Sequence, residues 1–228
     1  MQWIYEFQLF LFDFDGLLVN TEIIQFQAYK EMCRRRGYDL PWSFVNYCSY
    51  AHSPNVHALS YAIWDLFPKL QQEEPNWSVL YAEKKQIYEE LLSHSRIELM
   101  PGVEKLLTAL EKAKMPRCVV TNSTKMQIEM ILHTIPALKK IPHWITREDY
   151  LEPKPSPEGY LRAITLYGKK GDRIIGFEDT PRGIAALAQT PATIVMISPI
   201  PPEIEGTFPK EIFHYPSFED IPDDHLGA

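Results

Sequence analysis

The sequence predicts an α/β protein built on a parallel sheet, with a helical domain inserted after the first strand. Three observations lead to this prediction. The apolar run at residues 8–12, bounded by Asp13, is typical of a buried parallel strand. Short apolar strands alternate with helical patterns over residues 96–199, which favours right-handed βαβ units. Between these regions, residues 37–95 contain no convincing strand.

The helical pattern after the first strand covers about residues 21–36, where Ile24, Ala28 and Met32 share one stripe. Further helices are predicted at 55–67 and 77–92. The later elements are helix 103–112, strand 117–121, helix 125–133, strand 143–146, helix 157–167, strand 173–177, helix 181–188 and strand 193–197. We therefore expect a core domain formed by residues 1–19 and 96–228, and a helical domain formed by residues 20–95.

Composition and charge narrow the possible functions. The 228 residues carry 23 basic and 30 acidic side chains, a net charge of −7, which argues against a nucleic-acid binder. No apolar stretch approaches the ~18 to 20 residues that a membrane helix needs. Residues 200–228 hold seven acidic side chains and one lysine, with five prolines, and are expected to form a loop-rich tail.

The cysteines favour a reducing compartment. The three cysteines, Cys33, Cys48 and Cys118, lack the spacing of a disulfide framework or a zinc site. We expect reduced thiols in a cytoplasmic protein that acts on a small molecule, without a membrane or nucleic-acid partner, as a monomer or weak homodimer.

Polar residues cluster where the predicted strands end. In open α/β sheets, ligands bind beyond the carboxyl ends of the strands, so these residues are expected to meet in one crevice. The residues are Asp13 and Asp15 after the first strand, 121–123 after the second, Glu178 and Asp179 after strand 173–177, and Lys154 between two prolines.

Four segments, in order along the chain, resemble the four motifs of the haloacid dehalogenase superfamily. They are residues 13–22 (DFDGLLVNTE), 121–123 (TNS), Lys154-Pro155, and 176–180 (GFEDT) followed by Gly183. Residues 101–103 are similar to the segment that re-enters the core in members with a helical cap. The resemblance spans about residues 8–190. It implies a Rossmann-like core with a helical cap domain, as in the subgroup of β-phosphoglucomutase-like enzymes and phosphatases.

The resemblance also implies a role for each motif residue. Asp13 would be the nucleophile, and Asp15 the general acid and base. Lys154 would neutralise the phosphate and the Asp13 carboxylate. The Thr121 hydroxyl and the Asn122 backbone N–H would bind phosphate. Gly16 would let the chain leave the strand sharply, and it is expected to belong with Thr121, Asn122 and Lys154 to the phosphate-binding residues.

A nucleophilic carboxylate that attacks a phosphate ester needs positive charge to offset the repulsion. The oxygen ligands of Asp13 and Asp179 suit Mg²⁺. The resemblance adds the backbone carbonyl of Asp15, and Glu178 acting directly or through water, to the expected metal site.

The expected function is hydrolysis of a small phosphomonoester through an aspartyl phosphate, on a sugar phosphate, nucleotide or similar metabolite. Dehalogenating members lack an acid at the position of Asp15, so its presence favours phosphoryl transfer. A phosphomutase of the β-phosphoglucomutase type would share the core residues, and a catalytically silent binding protein would share the fold. The segment 50–53 is the best counterpart of the family's cap loop, but it has no glycine, which weakens the mutase alternative. His52 in this segment is a candidate substrate contact.

Overall fold

The protein forms two compact units in the computed structural model, which describes residues 1–53, 55–199, 211–224 and 226. The first unit consists of Met1–Asn20 and Glu98–Ala228, and the second is Thr21–Ile97. The domains were expected to divide between residues 19 and 20 and between 95 and 96.

A parallel sheet forms the centre of the first unit. Within the described residues it has six strands in the order β3-β2-β1-β4-β5-β6, and every neighbouring pair is parallel. The strands are β1 (Leu9–Phe12), β2 (Arg117–Val120), β3 (His143–Ile145), β4 (Ile174–Glu178), β5 (Thr193–Ile197) and β6 (Ile212–Tyr215). The predicted α/β class with a parallel sheet is confirmed.

The register of the sheet brings the ends of three strands side by side. Phe12, the last residue of β1, pairs with Val119 of β2 and with Phe177 of β4. The Asp13 N–H then donates a hydrogen bond of 3.0 Å to the Phe177 carbonyl. The sheet therefore places Asp13, at the end of the central strand, between the segments that follow β2 and β4.

In the part of the chain that the structure describes, nine α-helices surround the sheet or form the second unit. They are α1 (Glu22–Arg35), α2 (Phe44–Ala51), α3 (Ala58–Leu66), α4 (Pro68–Glu73), α5 (Trp77–Leu92), α6 (Val103–Lys112), α7 (Lys125–Thr134), α8 (Glu158–Tyr167) and α9 (Pro181–Ala188). The first five lie in the second unit, where α1 packs against α5. Arg35 of α1 forms a 2.6 Å ion pair with Glu90 of α5, and Arg36, just after α1, pairs with Glu83.

Helices α7 and α9 begin just after the predicted site segments 121–123 and 178–179, and a local capping interaction fixes where each helix begins. Thr124 precedes α7 and forms a reciprocal capping box with Gln127. Thr180 precedes α9, where its hydroxyl accepts a 3.1 Å hydrogen bond from the Gly183 N–H, and Pro181 occupies the first helical position.

Three elements differ from the sequence prediction. The tail was expected to be loop-rich, but β6 adds a strand to the sheet, and residues 200–210 of that tail lie outside the described residues. Helices α2 and α4 were not predicted. Helix α2 begins with a capping box between Ser43 and Asn46, and α4 begins at Pro68, where proline starts a helix instead of ending one.

None of the helices in the described chain is both long and apolar enough to cross a membrane. Its three cysteines are not in disulfides, and Cys33 and Cys118 are buried.

Candidate active site

A buried lysine joins two carboxylates at the carboxyl ends of the central strands. The Lys154 Nζ donates hydrogen bonds to Asp13 Oδ1 at 2.5 Å and to Glu178 Oε1 at 2.7 Å. The exposed fractions of the three side chains are 7% for Lys154, 13% for Asp13 and 1% for Glu178. Charges this deeply buried require partners, and these three groups supply one another with them.

The protonation of this cluster follows from burial and charge. Burial raises the pKa of Asp13 from its ordinary value of 3.8 to about 8, although Lys154 acts in the opposite direction. Burial lowers the pKa of Lys154, but Asp13 and Glu178 outweigh it, and the net effect is a raised pKa. Lys154 is therefore a cation at neutral pH, whereas Asp13 needs additional positive charge nearby to be fully ionised.

Besides Lys154, Tyr160 holds the Glu178 carboxylate, and Gly183 leaves room for it. The Tyr160 hydroxyl from α8 donates a hydrogen bond to Glu178 Oε1, and the Lys154 Nζ lies 4.8 Å from the centre of the Tyr160 ring. On the other side, a Cβ added to Gly183 would lie 1.9 Å from Glu178 Oε2. A residue larger than glycine at this point of α9 would collide with the carboxylate. Sequence reasoning missed Tyr160 because a tyrosine on an amphipathic helix has the same pattern as a core residue.

Three carboxylates could hold a metal ion together. Asp13, Glu178 and Asp179 each offer an oxygen, and these atoms all lie within 4.8 Å of one another. An all-oxygen set with several acidic groups fits a hard divalent cation such as Mg²⁺. The backbone carbonyl of Asp15, implied as a further ligand by the resemblance, stays a prediction.

Asp15 is bound by hydroxyl groups of the loop that follows β2. Ser123 Oγ donates a hydrogen bond of 2.5 Å to Asp15 Oδ2, and Thr121 Oγ1 lies 3.5 Å from the same oxygen. Thr121 is buried, and its backbone N–H bonds to the Ile145 carbonyl at 3.0 Å. The contact of Ser123 with Asp15 was not predicted, because no local spacing reports a contact across 108 residues.

Asn122 links this loop to the loop that carries Lys154. Its side-chain oxygen lies 2.7 Å from the Tyr150 hydroxyl and accepts a 3.3 Å hydrogen bond from the Lys154 backbone N–H. The Tyr150 hydroxyl also lies 2.7 Å from the Thr121 carbonyl. These bonds fix the Thr121 and Lys154 segments relative to each other.

Gly16 turns the chain directly after Asp15. Its φ is +80°, in the left-handed region that favours glycine, and its N–H donates a 2.9 Å hydrogen bond to the Val19 carbonyl. The sharp departure from β1 expected of Gly16 is present.

His52 lies in the second unit, where it follows the last residue of α2. Its Nε2 is 3.3 Å from Glu22 Oε1, which also accepts a 2.8 Å hydrogen bond from the Tyr47 hydroxyl. The segment 50–53, predicted as a loop, begins within α2. The structure thus brings together the core residues of the predicted site, and it places His52 against an acidic partner of its own unit.

Comparisons with known proteins agree with this arrangement. Residues 10–197 match the family described as haloacid dehalogenase-like hydrolase. The chain is 32% identical over 196 residues to 2-deoxyglucose-6-phosphate phosphatase 2 of Saccharomyces cerevisiae, covering 78% of this chain and 74% of that protein. It is 29% identical over 180 residues to validoxylamine A 7'-phosphate phosphatase of Streptomyces hygroscopicus subsp. limoneus, covering 79% of this chain and 80% of the relative.

A solved structure shows the same fold. CbbY from Rhodobacter sphaeroides, crystallised in complex with phosphate, superposes with a TM-score of 0.72 at 19% identity, covering 94% of this chain and 96% of CbbY. The family match spans all four motifs and most of the parallel sheet, which confirms the predicted resemblance. This chain belongs to the haloacid dehalogenase-like hydrolase family.

Proposed function

We propose that this protein is a Mg²⁺-dependent phosphatase that hydrolyses a small phosphomonoester with Asp13 as the nucleophile. Its family and its phosphatase relatives identify it as a hydrolase of phosphoric monoesters. The observation that carries the proposal is the contact of the buried Lys154 ammonium with Asp13 at 2.5 Å. A lysine in this position offsets the repulsion between a nucleophilic carboxylate and a phosphate.

The reaction we propose has two steps. An Asp13 oxygen attacks phosphorus, the bond between phosphorus and the leaving oxygen breaks, and Asp15 gives its proton to that oxygen. Asp15 then takes a proton from a water molecule that attacks phosphorus, and the bond to Asp13 breaks. Inorganic phosphate leaves, and both carboxyl groups return to their starting states. The Thr121 hydroxyl and the Asn122 N–H bind phosphate oxygens in both steps.

Asp13, Asp179 and Glu178 would hold the metal, the last directly or through water, together with the Asp15 carbonyl. When bound, Mg²⁺ supplies positive charge that favours the ionised nucleophile and offsets the charge of the phosphate. The raised pKa of Asp13 supports this requirement, because burial disfavours the ionised nucleophile and added positive charge favours it.

The proposed substrate is a sugar phosphate, a nucleotide or a similar metabolite. Both relatives are named as phosphatases of phosphorylated small molecules, and one of these molecules is a sugar phosphate. We propose that the second unit, Thr21–Ile97, is the cap that selects among such substrates.

Phosphate release from a panel of ~100 phosphorylated metabolites, with Mg²⁺ present, tests the proposal. Asp13→Asn should lose on the order of 10⁴-fold or more of the activity, as other nucleophile deletions do. Asp172→Asn is the matched control, since Asp172 accepts a hydrogen bond from the Lys169 N–H away from the site. An Asp13→Asn variant that keeps a tenth of the wild-type activity would contradict the assignment of Asp13 as the nucleophile. Turnover of a hexose 1-phosphate without phosphate release would identify a mutase. No turnover at all would identify a catalytically silent binding protein.

A further inference from the structure

We propose that Ser123 is a positioning residue that holds the carboxyl group of Asp15 for proton transfer to the leaving group. This inference rests on the proposed function, in which Asp15 is the general acid. It gives the Ser123 side chain a role in the reaction, whereas the motif resemblance implies no role for this residue.

The contact between the two side chains is short and sheltered. The Ser123 hydroxyl lies 2.5 Å from Asp15 Oδ2, the length of a strong hydrogen bond to a carboxyl group. Ser123 is 8% exposed, so few water molecules compete for its hydroxyl. Thr121 lies farther from the same carboxyl oxygen, at 3.5 Å, and its contact is the weaker of the two.

The backbone of Ser123 is fixed on both sides. Its N–H donates a 2.9 Å hydrogen bond to Thr121 Oγ1, and its carbonyl accepts a 3.0 Å hydrogen bond from the Arg147 N–H. A hydroxyl on such a fixed backbone has few alternative positions. The serine therefore restricts the orientations that the Asp15 carboxyl can adopt.

Helix capping does not explain Ser123. A serine just before a helix usually bonds the first free N–H groups of that helix. Before α7 this task belongs to Thr124, whose side chain accepts a hydrogen bond from the Gln127 N–H, while the Gln127 side chain accepts one from the Thr124 N–H. The Ser123 hydroxyl is thus engaged with Asp15 and not with the helix.

A positioned acid has a kinetic signature that a purely structural residue lacks. Because the Ser123 hydroxyl donates to Oδ2, the proton that Asp15 transfers is assigned to Oδ1. Protonation matters most when the leaving group is a strong base, and little when it is a weak base. Loss of the positioning hydroxyl should therefore slow ester cleavage in proportion to the basicity of the leaving group.

The test compares two aryl phosphates of similar shape, phenyl phosphate and 4-nitrophenyl phosphate, with Mg²⁺. The ratio kcat/KM reports steps up to cleavage of the ester bond, so the later hydrolysis of the aspartyl phosphate does not enter. Ser123→Ala should lower kcat/KM for phenyl phosphate about tenfold or more, and for 4-nitrophenyl phosphate less than about threefold. Ser123→Thr, which keeps the hydroxyl, should leave the ratio between the substrates near that of the wild type.

Thr124→Ala is the matched control, because it removes the neighbouring hydroxyl and the N-cap of α7 but not the contact with Asp15. It should leave the substrate ratio unchanged. Equal losses on both substrates in Ser123→Ala, an undiminished rate on phenyl phosphate, or the alanine pattern in Ser123→Thr would each overturn the inference. Failure of the wild type to hydrolyse either compound would instead contradict the proposed function, so the two failures can be told apart.

Discussion

The Lys154 ammonium lies 2.5 Å from Asp13 Oδ1, although 141 residues separate the two along the chain. Three carboxylates that could hold a metal, Asp13, Glu178 and Asp179, lie around one buried cation. If these four groups were all ionised, their charges would sum to −2, without counting the nearby Asp15. A phosphate ester adds further negative charge, so the site needs a divalent cation or additional protons in order to bind the ester. Burial is the main cause of the raised pKa of Asp13, and the negative charges of Glu178 and Asp15 add to it.

Replacing Lys154 should impair chemistry more than binding. We expect Lys154→Ala to lower kcat on the order of 10²-fold or more, with a smaller change in KM, because negative charge concentrates at the reacting oxygens in the transition state. Steady-state kinetics on 4-nitrophenyl phosphate measure both constants. Lys125→Ala, at an exposed lysine of α7, is the control. A rise in KM at unchanged kcat would mean that Lys154 only helps the substrate to bind.

The pKa of Asp13 predicts a pH-dependent effect on stability in the absence of metal. Between its ordinary value of 3.8 and about 8, the folded state holds one more proton than the unfolded state, so the free energy of unfolding falls as the pH rises through this range. Asn cannot titrate. The stability of Asp13→Asn relative to wild type should therefore grow between pH 5 and pH 8, by ~1 to 4 kcal/mol. Urea unfolding in a chelator measures the gap, and a gap that narrows with pH would contradict the prediction.

The sequence could predict elements whose cause is local. The bounds of α5, α6, α9 and β5 agree with prediction, because each is an amphipathic or apolar run bounded by turn residues. Helix α2 was missed because its capping box uses Asn46 where the usual pattern has Glu or Gln. Strand β6 is only four residues long and is specified by pairing with β5, which no local pattern reports.

In the site, too, local motifs could be predicted from the sequence, whereas contacts between distant residues could not. The motifs on the strand ends could be found from sequence, since each follows an apolar run. The bonds from Tyr160 to Glu178 and from Ser123 to Asp15 could not, because they join residues 18 and 108 positions apart. Such contacts depend on how α8 and the loop after β2 pack on the sheet, and hydrophobic periodicity carries no information on which hydroxyl meets which carboxylate.

Mg²⁺ should bind the folded protein and stabilise it. A ligand at a hundred times its Kd adds about 2.7 kcal/mol to the free energy of unfolding, so the Tm of wild type should rise with Mg²⁺. Asp179→Asn should need more Mg²⁺ for the same rise in Tm and for half of its maximal activity. Asp172→Asn should behave like wild type. Activity with zinc but none with Mg²⁺ would show that the assignment of a hard cation is wrong.

Gly183 tests the packing around Glu178. Within a helix, replacing glycine by alanine usually stabilises by up to ~1 kcal/mol. At Gly183 the added Cβ would lie 1.9 Å from Glu178 Oε2, so Gly183→Ala should instead lower both Tm and kcat. Ala185→Gly on the same helix is the reciprocal control and should lower Tm by the helix propensity alone, with kcat retained. A stabilised and active Gly183→Ala variant would contradict the close approach.

A polar cluster in the second unit provides the means to test its role as a cap. Glu22 Oε1 accepts a hydrogen bond from the Tyr47 hydroxyl and lies 3.3 Å from His52 Nε2. Burial raises the pKa of Glu22, but the neighbouring His52, Tyr47 and Lys84 outweigh it and the net pKa is lowered. His52→Ala would remove the imidazole from beside the Glu22 carboxylate, without touching any residue of the proposed chemistry.

If the second unit selects the substrate, His52→Ala should separate selectivity from chemistry. We expect it to redistribute kcat/KM among the metabolites that wild type hydrolyses. The rate on 4-nitrophenyl phosphate, which offers no sugar hydroxyls to recognise, should change by less than about tenfold, or ~1.4 kcal/mol. His57→Ala, at an exposed histidine whose ring centre lies 5.7 Å from that of Tyr61, is the matched control and should leave both properties unchanged. Equal losses on every substrate would show that His52 supports the fold of its unit instead of selecting the substrate, because only a selecting residue changes the ratios.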